Sequence, residues 1–282
     1  MSRADLHMHS TISDGGYTPS ELMKKCAEAG VKMISLTDHD STDGLQEAAQ
    51  AAASLGMKFI NGIELSTRVK GRSVDILGYG IDSRSQNLQE KLQFHREKRY
   101  NRMKQMVEKC QSIGLAVSIA DVEKEVTGVT WSRPHLAGAL VKKGYAESVS
   151  EVFEKFIGYG RPCYVEKEEE MQPEEAVNII REAGGAAIAA HPVYYNLDEQ
   201  ILNWLERGQL DGVEVYHRDH SPKDIKRFLL LVEKAEVKTG KRFYRTGGTD
   251  FHHEKFGRSG ERIGASPLPW KEAEYICRGI GG

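Results

Sequence analysis

Ten histidines are scattered through this 282-residue chain, and five of them follow short apolar runs: His7 and His9, then His39, His191 and His252. Carboxylates take equivalent places. Asp14 lies in the loop after the first run, Glu64 follows Phe59 to Ile63, Asp75 sits inside Val74-Asp75-Ile76, and Asp250 lies in Thr249-Asp250-Phe251-His252. Imidazole nitrogens and carboxylate oxygens are ligand groups for zinc, manganese and iron. One zinc takes about four such ligands, so nine groups on one face suit two or three divalent ions. Without cations between them, clustered carboxylates repel one another. The spacing of His7-Met8-His9 is suggestive in itself: residues i and i+2 of a strand face the same side, so both imidazoles can reach one ion.

The elements that must carry these groups are legible from periodicity. Ala4 to Met8 reads as a strand followed by the turn signal Asp14-Gly15-Gly16. Thr18-Pro19-Ser20-Glu21 is a capping box with proline at the first helical position, and Gly30 closes that helix. Val31 to Leu36 is a buried strand, Asp43 to Leu55 a helix ended by Gly56, and Phe59 to Leu65 and Val74 to Leu77 are further strands. The second half repeats this grammar with a helix over Pro173 to Ala183, strands over Ala186 to Ala190 and Gly212 to Val215, a helix over Pro222 to Thr239, and a strand over Phe243 to Thr246. Alternating strands and helices imply a parallel sheet with its active site at the carboxyl ends of the strands. From about Leu88 to Phe156 only helical patterns occur, over Leu88 to Ile113, Asp121 to Val126, Pro134 to Lys142 and Ser150 to Phe156. The expected organisation is therefore one α/β domain in two parts, residues 1–98 and 165–282, with a mainly helical insertion over 99–164.

Several motifs in chain order resemble the polymerase and histidinol phosphatase (PHP) superfamily of metal-dependent phosphoesterases. They are Asp5-Leu6-His7-Met8-His9-Ser10, Ser13-Asp14-Gly15, Leu36-Thr37-Asp38-His39-Asp40, Gly62-Ile63-Glu64, Ala190-His191-Pro192 and Gly248-Thr249-Asp250-Phe251-His252. The resemblance runs from Met1 to about Phe256. It implies a distorted (β/α)7 barrel with a trinuclear site whose ligands are His7, His9, Asp14, His39, Glu64, His191, Asp250 and His252, with Glu64 bridging. Glu64, Asp250 and His191 would form the catalytic set. One position departs: many relatives carry histidine where this chain has Asp75. A carboxylate is an acceptable replacement, and its harder oxygen favours manganese or iron over zinc.

Such a site suits phosphoester hydrolysis by a metal-bridging hydroxide, with Lewis-acid contacts to phosphoryl oxygens. In the helical block, Trp131-Ser132-Arg133-Pro134-His135 places Arg133 and His135 at a helix start, where anions bind. Arg-Pro-His in this insert resembles the branch that hydrolyses nucleoside 3′,5′-bisphosphates and in some members trims RNA from its 5′ end. Arg133 and His135 are accordingly the expected substrate contacts, against the plainer reading of a helix cap with an exposed arginine and a packed histidine. Four other features read as ordinary structure. The basic run from His95 to Arg99, with Arg102 and Lys104, fits a charged helix face beside water. His217 and His220 fit surface or structural positions, His253 is a neighbour of His252, and Tyr194 and Tyr195 fit packing over the rim.

Composition narrows the alternatives. Hydrophobic residues make up 39% and charged residues 28%, and no apolar run approaches the roughly 20 residues of a membrane span. A net charge of -2 and a pI near 6.6 argue against a protein that coats nucleic acid. The polar N-terminus and four dispersed cysteines (Cys26, Cys110, Cys163 and Cys277) fit a cytoplasmic protein with free thiols. The expected substrate is a small phosphorylated compound of the nucleotide type. Competing readings are a 5′→3′ exonuclease on short RNA or DNA, a histidinol phosphate phosphatase and a non-catalytic metal-binding module.

Overall fold

The structure, a computed structural model, describes residues 4–69, 71–166, 171–254 and 262–280. Met1 and Phe256, the ends of the family resemblance, lie outside the described residues. The chain opens with β1 (Ala4–Asp5), α1 (Pro19–Glu28), β2 (Met33–Leu36), α2 (Leu45–Ser54), β3 (Lys58–Val69) and β4 (Arg72–Tyr79). A helical stretch follows: α3 (Gln86–Ser112), α4 (Ile119–Glu123), α5 (Arg133–Lys142) and α6 (Val149–Val152), which runs on into a π-helical turn over Phe153–Ile157. The α/β pattern resumes with α7 (Pro173–Glu182), β5 (Ala186–Ala189), α8 (Asp198–Glu206), β6 (Gly212–Glu214), α9 (Pro222–Thr239), β7 (Tyr244–Thr246) and α10 (Trp270–Gly279).

The local signals act as expected. In α1 the Thr18 hydroxyl accepts from the Glu21 backbone N–H while the Glu21 carboxylate accepts from that of Thr18, so the first turn is satisfied reciprocally. The same box of Ser221 and Asp224 starts α9, and Gly240 ends it at φ 69°.

The strands form one sheet in sequence order, β1 to β7. It curls until its ends meet: the Leu6 N–H donates to Gly247 O at 3.2 Å, and the His9 N–H donates to Phe251 O at 2.9 Å. The result is an α/β barrel. Its core of buried residues, including Leu36, Ile63, Ile188, Val213 and Phe251, draws on both halves of the chain.

The sheet is not wholly parallel, contrary to expectation. β4 runs antiparallel to both β3 and β5. The cause lies in the connection: β3 and β4 are joined by a tight turn with Gly71 at φ 79°, whereas parallel neighbours need a crossover of a dozen or more residues. Helices α8 and α10 were not anticipated, although both bury one face, Ile201, Trp204 and Leu205 in α8 and Ala273 and Ile276 in α10.

Between β4 and β5 a second cluster of buried side chains gathers Met103, Met106, Val107, Leu136, Leu140 and Ile157. α3 joins the two cores, since its Leu88 and Leu92 pack into the barrel and its later residues into the second cluster. The expected division at 98/99 thus falls inside a continuous helix.

Candidate functional site

All nine residues singled out by type and spacing come together at one end of the barrel. Glu64, near the middle of β3, is 1% exposed and stands at the centre. Its Oε2 lies 3.2 Å from His7 Nε2, 3.2 Å from His9 Nε2 and 3.3 Å from His39 Nδ1. Its Oε1 lies 2.9 Å from His191 Nε2. Asp250 Oδ1 is 3.1 Å from His9 Nε2, Asp14 Oδ1 is 3.3 Å from His252 Nε2, and Asp75 Oδ2 is 3.9 Å from His191 Nε2. The groups divide into overlapping clusters: His7, His9, Glu64 and Asp250; His9, Asp14, His39 and His252; and Glu64, Asp75 and His191.

These residues fit divalent cations. His7 Nε2, His9 Nε2, His39 Nδ1 and Glu64 Oε2 are buried and make no hydrogen bond, although they crowd around a common point. Unsatisfied buried polar atoms are costly, and cations among them would use every lone pair. In the absence of cations, protons take their role. Burial opposes charge on His9, but the Asp250 and Glu64 carboxylates close beside its ring favour the charged form, outweigh it and raise the imidazole to about 10. Burial likewise favours the neutral form of Glu64, yet the charges of His7 and His39 hold it well below the usual carboxylate range.

Polar groups behind this layer fix its geometry. Asp38 accepts from the Ser10 N–H, the Ser10 hydroxyl and the Ser13 hydroxyl, each at 2.7 Å, which ties down the loop carrying Asp14. Asp5 accepts from the Thr249 N–H at 2.9 Å, the Thr249 hydroxyl at 2.7 Å and the Gly264 N–H at 3.0 Å, which anchors the segment carrying Asp250. Burial raises Asp5 to about 6 despite these bonds. Asp250 and His191 have φ of 47° and 20°, values that non-glycine residues rarely adopt and that cluster at functional sites.

Glu214, at the end of β6, was overlooked in the sequence. Its Oε1 lies 3.0 Å from His7 Nδ1 and its Oε2 accepts the His191 N–H at 2.7 Å. Burial favours its neutral acid, but the charges of His7 and His217 hold it down to about 2. A carboxylate on Nδ1 keeps the proton there and turns the Nε2 lone pair of His7 inward, as metal-binding histidines require. Its position within a buried strand, like that of Glu64, was the available signal. His217 is also fully buried, which corrects the surface half of its expected role, and burial pushes its imidazole down to about 4.

A cavity of about 740 Å³ opens from Asp14, His39 and Asp75 toward the helical stretch, and Arg133, Arg99 and Arg102 line it. Arg133 therefore stands on the cavity wall, with its guanidinium 5.2 Å from the Phe153 ring centroid. His135 is buried, and its Nδ1 accepts from the Ser132 N–H at 3.2 Å, closing the first turn of α5. The basic run of α3 is more than a wetted face. Arg99 is 20% exposed, bonds Asp40 at 2.6 Å and Ser66 Oγ at 2.9 Å, and lines the same cavity with Lys98, Arg102 and Lys104. A second cavity of about 630 Å³, beside His191 and Tyr194, shares Ser73 and Asp75 with the first. Tyr195 is 5% exposed and Tyr194 is 55% exposed.

A curled α/β barrel with clustered imidazoles and carboxylates at one end defines a metal-dependent hydrolase. The particular family follows from comparison. Residues 5–183 match the PHP domain, and the chain belongs to that family of phosphoesterases. It is 35% identical to a 3′,5′-nucleoside bisphosphate phosphatase of Chromobacterium violaceum, over 99% of this chain and 95% of that one. It is 28% identical to the 5′-3′ exoribonuclease Rnm of Escherichia coli, over 95% and 87%. The solved structure of a Chromobacterium violaceum amidohydrolase with bound sulfate superposes with a TM-score of 0.84 at 33% identity, covering 98% of this chain and 97% of that one. This protein is accordingly a metal-dependent phosphoesterase. No helix among the described residues is long and apolar enough to cross a membrane.

Proposed function

We propose that the protein hydrolyses the 3′-phosphate of a nucleoside 3′,5′-bisphosphate and leaves the nucleoside 5′-monophosphate. The observation that carries this reading is the continuity of the carboxylate and imidazole cluster with a cavity walled by arginines. Its volume lies within the roughly 300–1,000 Å³ of small-molecule sites. A substrate with two phosphates needs one at the cluster and cationic partners for the other. Arg133, Arg99 and Arg102 line the cavity together with Lys98 and Lys104, and guanidinium groups match phosphate oxygens bidentately. His135 supports Arg133 from behind by fixing the start of α5.

The proposed ligand set is His7, His9, Glu64 and Asp250 for one ion, Asp14, His39 and His252 for a second, and Glu64, Asp75 and His191 for a third, with Glu64 shared. Manganese, iron or zinc held there supplies Lewis-acid stabilisation of phosphoryl charge and a nucleophile at neutral pH. The chain's own contribution is to aim the lone pairs, through Glu214 for His7 and the carbonyl of Asp250 for His252 Nδ1 at 2.9 Å. Glu64, Asp250 and His191 form the catalytic set.

A second reading, 5′→3′ trimming of short RNA or DNA, is favoured by the other cavity. The cluster opens on two sides, which leaves room for a chain continuing past the scissile phosphate. Both readings are tested by reconstituting metal-free protein with manganese and supplying adenosine 3′,5′-bisphosphate beside a 5′-phosphorylated RNA oligomer. Phosphate release from the bisphosphate alone supports the first. A ladder of shortened products from the oligomer supports the second, and turnover of neither overturns both.

A further inference from the structure

His217 forms a fourth cluster with His7 and Glu214, outside the three assigned to metal, and it is wholly buried against them. Its ring centroid lies 5.7 Å from that of His191 and 6.2 Å from that of His7. One side of the ring is already determined: the Asp219 backbone N–H donates to His217 Nδ1 at 3.2 Å. An imidazole that accepts at Nδ1 carries its proton on Nε2 when neutral. Nε2 therefore presents an N–H, which cannot serve as a metal ligand, and it makes no hydrogen bond. A buried N–H left unpaired costs about 1–3 kcal/mol, so a nearby acceptor is to be expected. That acceptor is Asp250 Oδ2, at 4.0 Å.

The two oxygens of Asp250 face opposite ways. Oδ1 turns to His9 Nε2 at 3.1 Å and His7 Nε2 at 3.5 Å, while Oδ2 turns back to His217. We propose that His217 is a positioning residue that donates its Nε2–H to Asp250 Oδ2 and so holds Oδ1 toward the cluster of His7, His9 and Glu64. A shift of about 1 Å brings the pair to hydrogen-bond distance. Charge drawn from Oδ1 by a bound cation leaves Oδ2 as the oxygen this donor stabilises. The Glu214 contact to His7 is the matching device on the neighbouring ligand. A hydroxyl or thioether at position 217 would not reproduce the reach of the imidazole, whereas glutamine places an N–H near Nε2.

This inference rests on the assignment of Asp250 as a ligand, and the test separates the two. Manganese affinity is measured by competition with a chelating dye for wild type, His217→Phe and His217→Gln, alongside the melting temperature of each metal-free protein. The expected result is affinity about 10- to 100-fold weaker in His217→Phe, the usual effect of losing a partner behind a ligand, with most of it restored in His217→Gln. A merely structural role would lower the melting temperature of both variants without separating their affinities, and that outcome overturns the proposal. Wild type that binds no manganese overturns the ligand assignment instead. Should His217→Phe fail to fold, the nitrogen shifts of His217 in labelled wild type decide: a proton on Nε2 is expected, and one on Nδ1 refutes the argument.

Discussion

Replacing Glu214 by glutamine exchanges one oxygen for an NH₂ group and forces a choice on the residues around it. The carboxylate serves His7 Nδ1 at 3.0 Å through one oxygen and the His191 N–H at 2.7 Å through the other. Glutamine has one oxygen. If that oxygen keeps the His191 N–H, the amide NH₂ faces His7 Nδ1, which must then become the acceptor and pass its proton to Nε2. That is the atom aimed at Glu64, and a protonated Nε2 cannot bind a cation. If the oxygen turns to His7, the NH₂ meets the His191 N–H and two donors oppose each other. Either way one hydrogen bond to a charged group is lost, worth about 1.5–3 kcal/mol, or about 10- to 150-fold in metal affinity. The assay is competition for manganese with a chelating dye, on variant protein shown by circular dichroism to be folded. Glu272→Gln, a change of the same kind at the buried start of α10, is the control and should bind like wild type. A folded Glu214→Gln that binds manganese within twofold of wild type would refute the account of how His7 is oriented.

Further outcomes follow from the same geometry. Asp250→Ala removes the carboxylate that His7 and His9 share with Glu64, so phosphate release should fall to background. Turnover close to wild type would contradict the site. Arg133→Ala should raise KM for a bisphosphate about 10- to 100-fold through loss of a charge-assisted bond, while kcat changes much less; steady-state kinetics on that substrate decide it. In metal-free protein His9 is raised from the ordinary 6.5 to about 10, so its charged form stabilises the fold fully below pH 6.5, and the stabilisation is lost as pH rises toward 10. Melting temperatures should decline across that window in metal-free protein and much less once manganese is bound; parallel profiles would count against the electrostatics. Leu140→Ala opens a cavity in the buried cluster of the helical stretch and should cost about 2–5 kcal/mol in urea denaturation, leaving the number of metals bound unchanged.

Chemistry and element type were written into the chain at short range. The capping box at Thr18 and Glu21, the alternation in His7-Met8-His9 and the helical period of α3 depend on neighbours a few residues away, and each is as the residues indicate. The nine histidines and carboxylates announced themselves by type and by their place after apolar runs. What stayed hidden depended on the path of the chain. The antiparallel course of β4 follows from a tight turn at Gly71, and alternation alone does not distinguish strand direction. Glu214 passed unremarked inside the Gly212 to Val215 strand, and His217 read as a surface or structural residue, because their partners are 207 and 33 positions distant.

The basic run of α3 shows the same division most clearly. Its composition determined that it would be a charged helix, but only the folding of the helical stretch over the barrel turned Arg99 toward Asp40 and the cavity. Residue types, helix caps and ligand candidates are local properties, set by side-chain chemistry and by i to i+4 contacts. Which of those groups share a site, and which charge faces water or substrate, is decided by closure of the barrel, since that step alone brings His7, His191 and Asp250 together around Glu64.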